Sequence, residues 1–204
     1  MSLEPGATDI NTDIATGFAD PVHGSQRTFR RVLDAFAHPG RIVALDDAPE
    51  PPGTLNRASA GLLLTLADQD TPLWLAPEYE TPAVCAFVKF HTGAPVMVAR
   101  AEAAFALLSL GDAPLFEGFA VGSDDYPDRS ATLVIEVPVL GAGAARTWRG
   151  PGIDGTARVA VAGLDAAFWQ GWAANGALAP CGVDVVFTAG SQLLALPRGI
   201  VVDD

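Results

Sequence analysis

The helical pattern of apolar positions is clearest near the start of the chain. Apolar residues spaced i, i+3, i+4 and i+7 would share one face of a helix. This spacing occurs at Phe29, Val32, Leu33 and Phe36. Ser25 is suited to cap that helix, because its hydroxyl can accept hydrogen bonds from the free amides of the first turn. Pro39 and Gly40 would end it, since proline cannot continue a helix and glycine can turn out of one.

The remaining pattern predicts an alternation of helices and short apolar strands. Asn56, Thr81 and Asp165 are the expected caps of three of the later helices. The predicted later helices cover residues 56–66, 82–93, 102–110 and 165–175. The predicted strands cover residues 41–45, 72–75, 95–99, 131–137, 156–161, 183–187 and 193–196.

This interleaving of helices and strands is typical of the α/β class. The chain shows no internal repeat and no linker long enough to separate two domains. We expect residues 1–17 to form a flexible N-terminal arm and residues 18–204 to form a single α/β domain with a mixed sheet.

The balance of charges narrows the classes of partner. The 204 residues include 12 Lys and Arg against 24 Asp and Glu, so the formal net charge is −12. A hydrophobic fraction of 50% excludes a disordered chain. The acidity argues against a nucleic acid partner, since neutralising phosphates needs clustered Lys and Arg. A single local basic patch is still compatible with this composition.

The first residues of the chain and its two cysteines indicate the cellular compartment in which the protein works. The first residues, MSLEPGATDINTD, are polar and acidic, unlike a signal peptide. The longest apolar run, near residues 61–67, is shorter than the roughly 18 residues that span a bilayer. Cys85 and Cys181 are far apart, which favours two free thiols in a reducing compartment, although one bridge stays open. We expect a soluble cytoplasmic protein with no membrane partner.

Two short motifs match ligand-binding patterns, and both are better explained as turns. Residues 150–155 match G-x-G-x-x-G, but a strand pattern follows where a dinucleotide site needs a helix. Residues 124–128 match D-D-x-x-D, but Pro127 and Gly122 predict a loop rather than the helix that such a magnesium motif needs. We therefore predict no cofactor and no metal site.

The remaining candidates for chemistry are one lysine and a few arginines. Lys89 is the only lysine, so a phosphate-binding G-x-x-x-x-G-K loop is absent and only Lys89 could carry pyridoxal phosphate. Arg27, Arg30 and Arg31 could form a basic patch on the first helix that binds a phosphorylated ligand or an acidic partner. The alternative is a solvated helix face with neighbouring salt bridges.

Six segments, in order and at plausible spacing, point to a known family. They are GFADPVHGSQRTFRRVLDAFAHPGRIV (17–43), LLLTLADQDTPLWL (62–75), KFHTGAP (89–95), GSDDYPDRSATLVIEV (122–137), RGPGIDG (149–155) and GVDVVFTAGSQLLALPR (182–198). Together they resemble the PhnH family of bacterial phosphonate-metabolism proteins, which belong to the carbon–phosphorus lyase machinery. The resemblance covers nearly all of the chain after the arm.

The resemblance implies a fold, partners and a reaction. The fold would be a three-layer α/β/α domain similar to pyridoxal-phosphate-dependent transferases, without their cofactor site. In the absence of partners, the protein would form a homodimer. With subunits G, I and J it would form a core complex that contains two copies of each subunit. With subunits G, I and L it would be required when an alkylphosphonate displaces adenine from ATP, giving a ribose 1-phosphonate 5-triphosphate.

The resemblance assigns no catalytic residue. It places Arg129, Arg149 and Arg198 beside matched turns, where they could bond loop carbonyls or face a partner or phosphate. The structural role is the commoner use of such groups. The first hypothesis is therefore a complex subunit that is non-catalytic or co-catalytic and has no complete active site. The alternative is a stand-alone α/β enzyme for a phosphorylated small molecule, or for pyridoxal phosphate bound through Lys89.

Overall fold

A computed structural model describes residues 14–112 and 116–203. The helices are α1 (Pro21–Ala37), α2 (Arg57–Leu66), α3 (Pro82–Thr92) and α4 (Ala166–Gly176). Short 3₁₀ helices cover Arg100–Glu102, Leu110–Asp112 and Pro127–Arg129. The strands are β1 (Val43–Ala44), β2 (Leu73–Leu75), β3 (Phe105–Ser109), β4 (Thr132–Glu136), β5 (Leu140–Arg149), β6 (Ala157–Val161), β7 (Asp184–Ala189), β8 (Gln192–Leu196) and β9 (Val201–Asp203).

The strands form two sheets. Six of them make one mixed sheet in the order β1-β8-β7-β4-β3-β2. Within it β7, β4, β3 and β2 are parallel neighbours, while β8 and β1 are antiparallel additions. The other three strands form an antiparallel sheet in the order β6-β5-β9. The predicted α/β class with a mixed sheet is therefore confirmed.

The central strands of the six-stranded sheet are buried on both faces. Along β4, Val134 belongs to a core cluster shared with α1, α2 and α3. Its neighbours Leu133 and Ile135 belong to a second cluster, which contains α4, β5 and β6. Successive side chains of a strand point to opposite faces, so one short apolar run serves both cores.

Helix α1 begins before the predicted position. Its N-cap is Asp20, whose carboxylate accepts a hydrogen bond from the amide of His23 at 3.1 Å. Pro21 occupies the first helical position, where its fixed φ and missing amide cost nothing. Ser25 therefore lies inside the helix, and its predicted capping role is wrong. The predicted end is confirmed, because the helix stops at His38.

The buried side of α1 also differs from the predicted apolar face. Phe29 and Leu33 are 44% and 51% exposed. The side of the helix that is buried carries Gly24, Thr28, Val32 and Ala35. A Cβ atom at Gly24 would approach the Phe18 ring at 2.9 Å, so this side favours small residues. Close packing, rather than hydrophobicity alone, decides which side of α1 faces the core.

Two segments adopt a different structure from the one predicted. Residues 102–110 do not form an α-helix, because Phe105–Ser109 is β3 and pairs with β2 on one side and β4 on the other. A short apolar run is compatible with either a buried helix or a buried strand, and here the pairing decides. Residues 95–99 form no strand, and only Val96 makes a bridge, to Leu73.

The strands β5 and β9 are absent from the sequence-based prediction. After the buried Leu140, the start of β5 is GAGAA, a run of small and exposed residues at 141–145, so apolar alternation is missing. Both strands are instead stabilised by pairing and burial, since Trp148 in β5 is fully buried and lies opposite Val202 in β9. Strands of this kind depend on their neighbours more than on their own sequence.

Most of the predicted arm lies outside the described residues, which begin at residue 14. Where it is described, the carbonyl oxygen of Ala15 accepts a hydrogen bond from His91 Nε2 at 2.9 Å. Within the two described stretches, no helix has the length and apolar character needed to cross a membrane.

Candidate functional site

A cleft of about 480 Å³ lies beside α1, and we call it the arginine cleft. Its charged lining residues are Arg27, Arg30, Arg31, Asp34, Arg41, Asp46 and Asp47. The α1 members follow a spacing of three, four and seven residues, which places them on one face of the helix. The structure thus brings together the three arginines that sequence analysis singled out. It adds Arg41, which comes after the turn that ends α1 and carried no signal of its own.

Carboxylates neutralise two of the four guanidinium groups. Arg27 donates to Asp47 twice, from Nε to Oδ2 at 2.6 Å and from Nη2 to Oδ1 at 3.1 Å. This pairing lowers the pKa of the Asp47 carboxyl and raises the pKa of the Arg27 guanidinium. Arg41 donates from Nη1 to Asp34 at 3.3 Å. Both pairs hold their arginines in a defined orientation along the walls of the cleft.

Arg30 and Arg31 are the two arginines of the cleft that no carboxylate pairs, and with four arginines against three aspartates the lining is positive by one charge. Both side chains are exposed, and neither has a hydrogen-bond or ion-pair partner among the described residues. A guanidinium offers five donors in a planar fork that matches carboxylate and phosphate oxygens. On a chain with a net charge of −12, this is a local place where an anion is favoured.

Arg198 lies elsewhere and is engaged within the fold. Its Nη1 donates to the carbonyl of Pro127 at 2.6 Å, and its Nε donates to Asp184 Oδ1 at 3.2 Å. Its Nη2 donates to Asp184 and to the hydroxyl of Ser130. The side chain is only 21% exposed. This geometry favours the structural role, in which Arg198 joins the end of β8 to the start of β7 and to the loop before β4.

Arg149 and Arg129 lie outside the arginine cleft and make none of the hydrogen bonds around Arg198. Arg149 pairs with Asp203 at 2.9 Å between Nε and Oδ2, and both side chains are more than half exposed. Arg129 is exposed and lies over the ring of Tyr126, with its guanidinium carbon 4.1 Å from the ring centroid. The six candidate arginines therefore do not form one site. Three of them share the arginine cleft, and three lie near turns elsewhere.

A row of exposed apolar side chains, which we call the α1 stripe, adjoins the arginine cleft. It consists of Val22, Phe29 and Leu33, of which Val22 is 74% exposed. Their spacing of seven and four residues keeps them on one side of the helix. Apolar residues in such a row are typical of a surface that another protein covers.

A buried polar cluster lies at the carboxyl ends of the parallel strands. The sequence analysis did not identify it, because its one visible sign is a single carboxylate at the end of an apolar strand. Glu136 accepts a hydrogen bond from the amide of Asn56 at 2.7 Å and from the hydroxyl of Tyr79 at 3.1 Å. Burial raises the pKa of Glu136. The hydroxyls of Ser59 and Thr188 lie 2.8 Å apart nearby. Asn56 is the N-cap of α2, but its side chain makes no capping hydrogen bond. The Glu136 carboxylate therefore supplies a hydrogen-bond acceptor at the start of this helix.

The ligand-like motifs are turns, as the sequence analysis predicts. Residues 150–155 join β5 to β6, and no helix follows them. Residues 124–128 lie in an irregular loop, in which the amide of Tyr126 donates to Ser123 Oγ at 3.2 Å. Within residues 14–112 and 116–203, no three His, Cys, Asp or Glu side chains come together in a way that could hold a metal ion.

Lys89 does not lie in the arginine cleft. It is exposed near the end of α3. A lysine that forms a Schiff base with pyridoxal phosphate needs a pocket that holds the rest of the cofactor. The position of Lys89 therefore gives no support to the alternative of a pyridoxal-phosphate enzyme.

Comparison with known proteins gives a consistent result. The family described as bacterial phosphonate metabolism protein (PhnH) matches residues 16–203. A protein of Rhizobium meliloti (strain 1021), named alpha-D-ribose 1-methylphosphonate 5-triphosphate synthase subunit PhnH, is 46% identical over 182 residues, covering 89% of this chain and 91% of that protein. A putative C-P lyase subunit protein HtxG of Stutzerimonas stutzeri is 32% identical over 173 residues, covering 85% and 83%. The chain thus belongs to the PhnH family of bacterial phosphonate metabolism proteins.

Proposed function

We propose that this chain is a subunit of a carbon–phosphorus lyase system that degrades organic phosphonates. The observation that carries the proposal is the family match over residues 16–203, together with a relative that is named as a subunit of a ribose 1-methylphosphonate 5-triphosphate synthase. In this role the chain acts with partner subunits when an alkylphosphonate displaces adenine from ATP. It has no complete active site of its own.

The partners in this proposal are subunits G, I and J, with subunit L acting in the first step. Away from them the chain forms a homodimer. The α1 stripe supports both kinds of assembly, because Phe29 and Leu33 would be removed from water by a covering protein. Cys85 and Cys181 are free thiols, which agrees with the reducing cytoplasm as the place of action.

We also propose that the fold is a three-layer α/β/α domain similar to pyridoxal-phosphate-dependent transferases, without their cofactor site. The two core clusters on opposite faces of the six-stranded sheet support a three-layer α/β/α arrangement of one domain over residues 18–204. The parallel order of β2, β3, β4 and β7 supports the likeness to pyridoxal-phosphate-dependent transferases. The exposed position of Lys89 on the surface of α3 fits a relative of that fold without the cofactor site.

The proposed function is tested by affinity capture of the tagged chain from its host, grown on a phosphonate as sole phosphorus source. We expect subunits G, I and J to be recovered in comparable amounts, as identified by mass spectrometry. A Phe29→Asp/Leu33→Asp variant should recover less of them, because it places two charges on the α1 stripe. The matched control is Val139→Asp, which changes another exposed apolar residue outside the stripe. Recovery of the wild-type chain alone would contradict the proposal.

We further propose that the arginine cleft binds the phosphate groups of a phosphorylated ligand. Its volume falls within the range of small-molecule sites, and its arginines line a concavity rather than a flat face. Arg30 and Arg31 would make the direct contacts, because no carboxylate of the described residues pairs with their guanidinium groups. Arg27 and Arg41 would add charge from positions that Asp47 and Asp34 hold in place.

An Arg30→Ala/Arg31→Ala variant should bind inorganic tripolyphosphate about tenfold or more weakly, since each charged hydrogen bond contributes about 1.5–3 kcal/mol. Isothermal titration calorimetry of the purified chain at low salt measures this change. Arg129→Ala is the matched control, because Arg129 is also exposed and has no ion-pair partner among the described residues. Equal weakening in the control, or no weakening in the double variant, would argue against the cleft as the site.

A further inference from the structure

The end of α1 carries a carboxylate that two basic side chains share. Asp34 lines the arginine cleft. The Nδ1 atom of His38 lies 3.0 Å from Asp34 Oδ1, and the Nη1 atom of Arg41 lies 3.3 Å from Asp34 Oδ2. Arg41 is itself a lining residue of the cleft, whereas His38 is not. His38 is therefore linked to the cleft through Asp34.

The contacts of His38 show which nitrogen of its ring gains the second proton. Nδ1 also lies 3.1 Å from the main-chain carbonyl oxygen of Asp34, so both groups beside it are acceptors. Nδ1 therefore carries the hydrogen of the neutral ring, and Nε2 is the nitrogen without one. The side chain is 57% exposed and has no other hydrogen-bond or ion-pair partner among residues 14–112 and 116–203. Protonation at Nε2 breaks none of these bonds and turns the contact with Asp34 into an ion pair.

The elements packed against α1 offer His38 no second ionic partner within the described part of the chain. β1 and β8 carry no charged residue. The turn from β5 to β6 packs on the end of α1 and carries Asp154, which is exposed and makes no ion pair with His38. The other charged side chains of the packed elements bind elsewhere, Arg57 to Glu50, Arg149 to Asp203 and Arg158 to Thr147. The charge of His38 therefore acts on the cleft through Asp34 and the arginines beside it.

We propose that His38 makes anion binding in the arginine cleft sensitive to pH, so that the cleft holds phosphate groups more tightly when the His38 ring is protonated. This inference rests on the proposed binding of phosphate groups by the cleft, and it adds a regulation of that site. With a neutral His38 the lining is positive by one charge, since four arginines face three aspartates. The imidazolium of His38 raises the total of lining and histidine to two positive charges.

Competition for Asp34 adds to this effect. A carboxylate that accepts from an imidazolium has less charge left to attract the guanidinium of Arg41. Both basic side chains are more than half exposed, and ion pairs of this kind are weak. Part of the Arg41 charge therefore becomes available to a bound anion. His38 is also the C-cap of α1, where the partial negative charge of the helix end favours the imidazolium.

The test measures binding of trimetaphosphate, a phosphate anion whose own charge stays constant over the range in which histidine titrates. By isothermal titration calorimetry of the purified chain, we expect the dissociation constant to be about threefold or more lower at about pH 5.5 than at about pH 8. His38→Gln should lose this difference. The matched control is His23→Gln, because His23 also lies on α1 and pairs with Asp20 at 2.8 Å, but neither residue lines the cleft. The control should keep the difference.

A second measurement uses the wild-type chain and decides if His38→Gln does not fold. Coupling between a proton and an anion is reciprocal, so each raises the affinity of the chain for the other. Saturating trimetaphosphate should therefore move the midpoint of the His38 titration, followed by NMR of the ring, to higher pH. The titration of His23 should stay in place. An unchanged midpoint for His38 would overturn the inference.

The failure of this inference is distinguishable from the failure of the proposed phosphate site. If the wild-type chain binds no trimetaphosphate at either pH, or if Arg30→Ala/Arg31→Ala binds it equally well, the site fails and the inference fails with it. If binding depends on Arg30 and Arg31 but is equal at the two pH values, only the inference fails. Equal loss of the pH response in the His23 and His38 variants would also overturn it, because the response would not act through Asp34.

Discussion

Replacing Arg198 by alanine is expected to lower the free energy of unfolding by about 3 kcal/mol, the lower end of the range for breaking a buried ion pair. The Asp184 carboxylate, which is only 18% exposed, would lose its guanidinium partner and keep only the hydrogen bond from the amide of residue 198. The carbonyl of Pro127 and the hydroxyl of Ser130 would lose a charged donor as well. Partial exposure of the pair keeps the expected loss below that of a fully buried one. Urea denaturation followed by circular dichroism measures the change.

The matched control is Arg149→Ala, which removes another arginine paired with an aspartate. Because Arg149 and Asp203 are both more than half exposed, we expect a loss of at most about 1 kcal/mol. A loss of similar size in both variants would contradict the structural role of Arg198. If Arg198→Ala were as stable as wild type but lost its partner subunits, Arg198 would belong to an interface instead.

Replacing Gly152 by alanine is expected to cost about 3 kcal/mol, because backbone strain and a steric clash act together. Gly152 has a φ of +83°, which side chains rarely adopt. A Cβ atom there would overlap the carbonyl oxygen of Ala37 and approach Pro39 Cδ at 2.8 Å. The turn between β5 and β6 therefore packs directly on the end of α1. The free energy of unfolding again measures the effect.

Gly155→Ala separates strain from clash within the same turn. Gly155 has a φ of +70°, but nothing lies within 4 Å of the position its Cβ would take. Strain alone should cost about 1 kcal/mol. Equal losses at the two glycines would show that the turn does not pack on α1. The pair of variants therefore tests whether the G-x-G-x-x-G pattern here serves packing.

Local signals were reliable wherever a few neighbouring residues set the backbone. Thr81 and Asp165 cap α3 and α4 as predicted, because each accepts a hydrogen bond from an amide three residues later. Gly93 ends α3 with a φ of +74°. The same kind of signal places α1 incorrectly at its start, since Asp20 and Pro21 compete with Ser25 for the role and fit it better.

The candidate site was accessible from sequence only in part. Helical spacing is enough to place Arg27, Arg30 and Arg31 on one face of α1. It cannot show that Asp47 neutralises Arg27, because these residues are 20 positions apart and meet only when the loop after β1 folds back. Nor can it show that Phe29 is exposed, since its spacing with Val32 is equally typical of a buried face.

The order of residues along the chain was sufficient for the α/β class, the turns at residues 150–155 and 124–128, and membership of the PhnH family. Those conclusions depend on spacing, on backbone preferences and on matched segments. The strand at Phe105–Ser109, the buried side of α1 and the links from Arg198 to Pro127 and from Glu136 to Asn56 depend on contacts across the fold. Those last partners are 71 and 80 positions apart, so packing and pairing, rather than local preference, select them.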